Sequence, residues 1–230
     1  MTATQTQAIV LARTDFGEAD RILTFITPDQ GKVKAIAKGV RKTKSKLAGG
    51  IELFSVSDIS FIPGRKEIST VVSTRLKKHY GQIVKDLDRT AVGFELIKRI
   101  NKATEDSPEP AYFYLLQEAF EALDDSSVDF NLIKLWFDMQ LLRLGGHSPN
   151  LYSDDKGHKL LPDSTYTFDF DNVRFVKNSR GKFTSGHIKF LRIGFSASVP
   201  RILNRINNAN ELAAATGPLI QSLLQSYIRL

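Results

Sequence analysis

Residues 21–47 read RILTFITPDQGKVKAIAKGVRKTKSKL, the pattern of a β-hairpin that runs into a cationic loop. Arg21 to Thr27 carries Ile22, Leu23, Phe25 and Ile26 as its apolar set, with Thr24 and Thr27 at β-favouring positions. Pro28-Asp29-Gln30-Gly31 has turn chemistry: proline presets φ, Asp can bond its own backbone, and glycine closes the turn. Lys32 to Lys38 then sets Val33, Ala35 and Ala37 on one face and Lys32, Lys34, Ile36 and Lys38 on the other. From Gly39 to Lys46 the alternation stops while the charge continues through Arg41, Lys42, Lys44 and Lys46. No acidic residue falls between Asp29 and Glu52. A cationic strand entering a cationic loop suits a polyanion lying along a sheet edge. A basic face that only aids solubility has the same pattern, so charge by itself leaves both readings open.

The strand signal extends in both directions. Gln7 to Arg13 reads as a first strand, followed by a polar turn, Asp15-Phe16-Gly17-Glu18-Ala19-Asp20, whose glycine can take positive φ. Ile51 to Ile62 forms a long strand region, Pro63-Gly64-Arg65-Lys66 a tight turn, and Ile68 to Ser73 a fifth strand. Five strands joined mostly by short turns favour a closed sheet, because an open one would leave edges exposed. A five-stranded barrel of the oligonucleotide-binding (OB) type is the expectation. Such barrels pair a cationic groove with aromatic platforms. Of the aromatics, Phe25, Phe54 and Phe61 fit core positions on strands, and Phe16 sits in a turn.

From Leu76 onward the texture turns helical. Ile83, Leu87, Phe94, Ile97 and Ile100 recur at three- and four-residue spacing. An acidic loop, Glu105 to Pro110, precedes a second helix, in which Tyr112, Phe113, Leu116 and Phe120 share a face. A third helix, Asn131 to Leu144, ends at Gly145-Gly146. A hairpin follows at Tyr166 to Phe170 and Val173 to Val176. Helices resume at Ser185 to Phe195 and Pro200 to Ile206, and Pro218 suits the N1 position of a last helix towards Leu230. The fold class is therefore α+β.

Charge is unevenly spread. The chain of 230 residues carries a formal +7, and residues 1–80, with 14 Lys and Arg against 7 Asp and Glu, hold all of that excess. A second acid-free run, between Asp171 and Glu211, contains Lys177, Arg180, Lys182, Lys189, Arg192, Arg201 and Arg205. There is no cysteine, which excludes disulfides, thiolate metal sites and a cysteine nucleophile, and fits a reducing cytoplasm. The polar start, MTATQTQ, has no signal-peptide core. Phosphate-cradling glycine motifs are missing, and the four histidines are scattered. His147 and His158 flank Asp154 and Asp155, but their spacing matches no zinc pattern. The chemistry expected is binding without catalysis, metal or cofactor.

Taken together, Ala8-Ile9-Val10-Leu11, Asp15-Phe16-Gly17-Glu18-Ala19-Asp20-Arg21-Ile22-Leu23, Thr27-Pro28, Gly31-Lys32, Ala37-Lys38-Gly39-Val40-Arg41-Lys42 and Ser45-Lys46-Leu47 resemble the RecO family of bacterial DNA repair and recombination mediators. The match of order and spacing covers roughly the first 65 residues. Farther on, Leu144-Gly145-Gly146-His147-Ser148-Pro149-Asn150-Leu151 is similar to the family's glycine- and proline-containing element.

The resemblance implies an OB barrel over residues 1–78 and a helical domain over residues 79–230. Residues 147–183 then stand where many members carry a four-cysteine zinc module, here replaced by a cysteine-free hairpin. It implies binding of single- and double-stranded DNA, strand annealing, and work with RecR to load RecA onto DNA coated by single-strand-binding protein (SSB). The candidate DNA contacts are Lys32, Lys34, Lys38, Gly39 as backbone hinge, Arg41, Lys42, Lys44 and Lys46, with Arg65 and Lys66 in the next turn. The acidic SSB tail would dock on the helical domain, with Arg143, Arg192 and Arg201 as candidates. An RNA-binding OB module and a basic adaptor for an acidic protein share the charge pattern and stand as alternatives.

Overall fold

In the computed structural model, which describes residues 2–64, 68–104 and 109–228, the chain divides into two compact units, Met1–Ser126 and Ser127–Leu230. The first is built on five strands: β1 (Thr4–Phe16), β2 (Asp20–Thr27), β3 (Gly31–Ala37), β4 (Ser55–Ile62) and β5 (Ser69–His79). They close into a barrel in the order β1-β2-β3-β5-β4, and β1 returns to pair with β4. Only β3 and β5 run parallel, through Ala35–Ser69 and Ile36–Thr70. The fold is thus an OB-type barrel followed by a mainly helical region with a short hairpin, as expected.

Alternation accounts for the interior. Ala8, Val10, Leu23, Phe25, Ala35, Ala37, Ile59, Phe61 and Val71 pack together inside the barrel. The turn between β2 and β3 closes differently from expectation. Thr27, not Asp29, bonds the local backbone: its Oγ1 accepts from the Gln30 N–H at 3.1 Å and donates to the Gly31 carbonyl at 3.0 Å. Asp29 instead accepts from Thr6 Oγ1 at 2.5 Å.

Two expected boundaries move. Residues 76–79 are strand, not helix, because β5 keeps its ladder to β4 as far as Ser55–His79. Ile51 to Phe54 is not strand: a 3-10 turn at Ala48–Gly50 and an irregular stretch precede β4. Phe54 explains the break, since it adopts φ +52°, a left-handed conformation that a bulky residue rarely takes. Its carbonyl accepts the Tyr80 N–H at 2.9 Å, and its ring is buried against Phe94 and Phe120 with centroids at 5.1 and 5.5 Å.

Those two rings come from α1 (Leu87–Ala103) and α2 (Ala111–Leu123), which belong to the first compact unit. Asp86 caps α1 by accepting the Arg89 N–H. The buried Arg89 guanidinium donates to the carbonyls of Leu123, Asp125 and Ser126, which α2 leaves open at its end. The acidic residues 105–108 between these helices lie outside the described residues.

The second unit is organised on α3 (Phe130–Leu144), most of which is buried. α4 (Ser185–Ser196), a 3-10 segment at Pro200–Arg205 and α5 (Ala209–Tyr227) pack on it. Trp136 Nε1 donates to the Ala197 carbonyl at 2.9 Å, and Gln140 Nε2 to the Gly194 carbonyl at 2.7 Å. Pro218 lies inside α5 rather than at its start. Its missing N–H frees a carbonyl at Ala214, and both residues are solvent-exposed, where water can satisfy that group. The hairpin, β6 (Tyr166–Asp169) and β7 (Arg174–Lys177), is held by rings: Phe175 meets Phe168 at 5.1 Å and Phe183 at 5.4 Å. Among the described residues no helix is long and apolar enough to cross a membrane.

Phe54 anchors the first unit from a strained backbone, so Phe54→Ala is expected to destabilise it by about 3–5 kcal/mol, as for other buried aromatics. Tyr80→Phe, which keeps the ring and loses one hydrogen bond, should cost about 1 kcal/mol. Urea unfolding of the two variants checks the order.

Candidate nucleic-acid interface

Residues 38–47 leave β3 as a loop fastened at both ends. Gly39 takes φ +64°, and its N–H donates to Asp20 Oδ1 at 2.7 Å. The Arg41 N–H reaches the Ala19 carbonyl at 2.9 Å, so the loop lies against the β1–β2 turn. Val40 is buried in the barrel core, and Leu47 packs against it. At the far end the Leu47 carbonyl accepts from Thr74 Oγ1 at 3.0 Å. The loop spends its apolar side chains and part of its backbone on the barrel, which leaves its cationic side chains in solvent.

The cations divide by what they touch. Arg41 reaches back to Asp15 at 3.5 Å, and Arg21, cross-strand from Asp15, holds the same carboxylate at 2.7 Å. The Arg21 hydrogen bond and, after it, the Arg41 charge keep the Asp15 carboxyl below its ordinary pKa against an opposing effect of burial. Lys32 is half-buried and donates to the Asn101 carbonyl in the last turn of α1, so it serves the packing of that helix. Lys34, Lys38, Lys42, Lys44 and Lys46 are exposed and make no ion pair with any described residue. Asp20, the acid nearest the loop in β2, is engaged with the Gly39 N–H.

The register adds apolar surface to this charge. Lys34 faces Thr24 across the β2–β3 pair, and the half-buried Ile22 and Ile36 face each other in the next outward row. At the end of β1, Phe16 is 53% exposed beside Gly17, whose carbonyl lies 3.5 Å from Arg41 Nη1. Phe25, Phe54 and Phe61 are all buried, which leaves Phe16 as the exposed ring of the four. Arg75 and Lys77 are further exposed cations, brought onto the barrel because β5 extends to His79. Arg65 and Lys66 lie outside the described residues.

In the second unit, Arg143 Nε donates to Gln140 Oε1 at 2.7 Å. Arg192 Nε donates to the Leu151 carbonyl at 2.7 Å, and its guanidinium stacks 5.0 Å from the Tyr152 ring. Arg201 is exposed on the 3-10 segment. The His147 ring stacks on Tyr227 at 4.5 Å, and His158 Nδ1 lies 3.8 Å from Asp154 Oδ2. Burial works to raise the Asp154 pKa, but the backbone N–H groups of His158 and Lys156 outweigh it and lower the pKa. This carboxylate closes its own loop. Among the described residues no group of three or more metal-ligating side chains occurs.

Residues 1–80 match the family model described as Recombination protein O N terminal, and residues 84–228 the one described as Recombination protein O C terminal. The chain is 38% identical over 164 residues to the DNA repair protein RecO of Dehalococcoides mccartyi strain 195, covering 70% of this chain and 64% of that protein. It is 33% identical over 149 residues to the DNA repair protein RecO of Desulfatibacillum aliphaticivorans, covering 64% and 58%. It is 31% identical over 147 residues to that of Rubrobacter xylanophilus, covering 64% and 59%. In each comparison the chain spans less than two thirds of the relative's length.

A Cβ on Gly39 would meet only the Lys42 side chain, at 3.6 Å, so the cost of Gly39→Ala is conformational. It is expected to be about 1 kcal/mol, with Gly39→Asn costing less, by thermal or urea unfolding. Asp15 carries a lowered pKa, so its contribution is complete above the ordinary value of 3.8 and lost as pH falls through the lowered one. Asp15→Asn is therefore expected to destabilise the protein at neutral pH, with the difference from the parent vanishing in acid. Urea unfolding at a series of pH values reads this directly.

Proposed function

Because the chain belongs to the recombination protein O (RecO) family, we propose that it is a non-enzymatic DNA-binding mediator of DNA repair and homologous recombination. The observation that carries this reading is the set of exposed lysines, Lys34 on β3 and Lys38, Lys42, Lys44 and Lys46 on the loop tied to an OB barrel, none ion-paired with a described residue. Each lysine that meets a phosphate releases a counterion, so binding is sequence-tolerant and falls steeply with salt. Phe16 offers a face on which a base can stack, and Ile22 and Ile36 give apolar contact beside it.

Annealing follows from the same charge. Two complementary strands repel one another, and a surface that screens both lowers the barrier to pairing. In this reading the protein anneals strands and works with RecR to load RecA onto SSB-coated DNA in the bacterial cytoplasm. Arg143 and Arg201 are its candidate contacts for the acidic SSB tail. Arg192 can take part through its cationic edge, since its Nε is already engaged. Arg41 acts mainly by holding the loop to Asp15, while Gly39 sets the turn.

The test leaves Arg41 intact and substitutes Lys42→Ala, Lys44→Ala and Lys46→Ala together. Affinity for oligo(dT) is expected to fall about tenfold or more near 0.1 M salt, and the slope of log K against log salt to flatten by about 2. Annealing of complementary oligonucleotides should slow in parallel. Unchanged affinity and slope would overturn the assignment of the loop.

A further inference from the structure

The first part of the second acid-free run, Lys177 to Lys189, has no part in the reading above, and Arg180 and Lys182 within it border a cavity. Between the β6–β7 hairpin and α5 lies a cavity of about 510 Å³, lined by Phe168, Phe170, Phe183 and Pro218, with Arg180 and Lys182 also on its wall. Phe170 is 47% exposed and meets Phe168 edge to face at 5.0 Å, which leaves the Phe170 ring accessible. Phe183 is held in place by Phe175 and by paired backbone hydrogen bonds with Tyr166, at 2.8 and 3.0 Å. Gly181 permits this close approach, because a Cβ there would stand 2.3 Å from the Tyr166 backbone. The wall is therefore a built aromatic surface.

Its charge is net cationic, with Arg174, Lys177, Arg180 and Lys182 against Asp169 and Asp171 over residues 166–183. Lys177, Arg180, Lys182 and Lys189 are exposed and form no ion pair with a described residue. Of the acids on the hairpin, Asp169 is occupied by the Asn172 side chain and the backbone N–H groups of Asp171 and Asn172, with Arg174 at 3.8 Å. Asp171 is exposed at the hairpin tip. Thr167 and Ser222 supply hydroxyl groups in the same cavity. Aromatic faces, the Thr167 hydroxyl, a Ser222 oxygen that can accept while its proton goes to the Pro218 carbonyl at 2.9 Å, and cations without acidic partners together match a flexible strand whose bases alternate with phosphates.

We propose that this cavity is a second single-stranded nucleic-acid site, separate from the barrel loop, in which Phe170 stacks on a base while Arg180 and Lys182 bind the flanking phosphates. Pro218 gives the opposite wall an apolar ring inside α5. The site extends the nucleic-acid reading to the second unit but rests on its own residues.

The experiment uses the full chain and oligo(dT) carrying 5-iodouracil, photo-coupled and mapped by mass spectrometry. It is run on the parent protein and on the variant lacking Lys42, Lys44 and Lys46. Coupling within residues 166–183 is expected in both. In the loop-variant background, Phe170→Ala should weaken oligo(dT) binding about tenfold. Phe170→Leu should recover little of it, because an apolar side chain without a ring cannot stack. Arg180→Ala with Lys182→Ala should lower the salt slope by about 0.7 per lost phosphate contact. Phe170 is exposed, so these variants leave the fold intact, which circular dichroism verifies. An absence of coupling in residues 166–183, or unchanged binding in Phe170→Ala, overturns the proposal, whatever the loop variant does. Binding of an acidic aromatic peptide that Phe170→Ala abolishes, with oligo(dT) binding unaffected, also overturns it and assigns the cavity to a protein partner.

Discussion

The first unit depends on one aromatic side chain held in an uncomfortable backbone conformation. Phe54 sits at φ +52°, where a bulky residue pays in strain, and the fold offsets this by burying its ring between Phe94 and Phe120. The space exists because position 93 is glycine: a Cβ there would come within 2.6 Å of the Phe54 ring. Tyr80 secures the arrangement from the other side, with its N–H on the Phe54 carbonyl and its hydroxyl donating to Glu121 at 3.0 Å. Burial, followed by the Glu121 carboxylate, pushes the Tyr80 pKa up, so the hydroxyl keeps its proton. Lys78 pairs with the same carboxylate, which ties the end of β5 to α2.

A barrel fixed in this way can carry a loop of like charges. Crowded lysines repel one another, and a loop without anchors would spread to relieve them. Here Val40 and Leu47 are committed to the core, Gly39 to Asp20 and the Leu47 carbonyl to Thr74. The anchors are backbone and apolar groups, so no lysine of the loop is consumed in holding it. Arginine is used differently: Arg41 and Arg21 share Asp15, and Arg89 closes a helix end. Planar, multiply donating guanidinium groups serve geometry, while the point charges of lysine remain available to phosphate.

Much of the candidate site's geometry was legible in the chain. The alternation of Val33, Ala35 and Ala37 with Lys32, Lys34 and Lys38 assigned the two faces of β3, and Gly39 marked where the strand had to turn. The loss of acids between Asp29 and Glu52 located the charge. The sequence could not separate Lys32, committed to the Asn101 carbonyl, from Lys34, which faces solvent, because their difference lies 69 residues away in α1. Nor could it place Arg75, past the expected end of the fifth strand, or Lys77, which looks helical by local spacing; both belong to β5 through the ladder to β4.

By itself, then, the sequence determined the class of fold, the core faces of the strands, the segregation of charge and the family to which the chain belongs. These are encoded in side-chain period and residue type, both local properties. The tertiary structure decided how far β5 extends, where Pro218 sits, why Phe54 tolerates positive φ, and which cations remain without a carboxylate partner among the described residues. Each of those outcomes rests on a hydrogen bond, ring contact or ion pair between residues distant in the chain, and a local pattern carries no record of the partner.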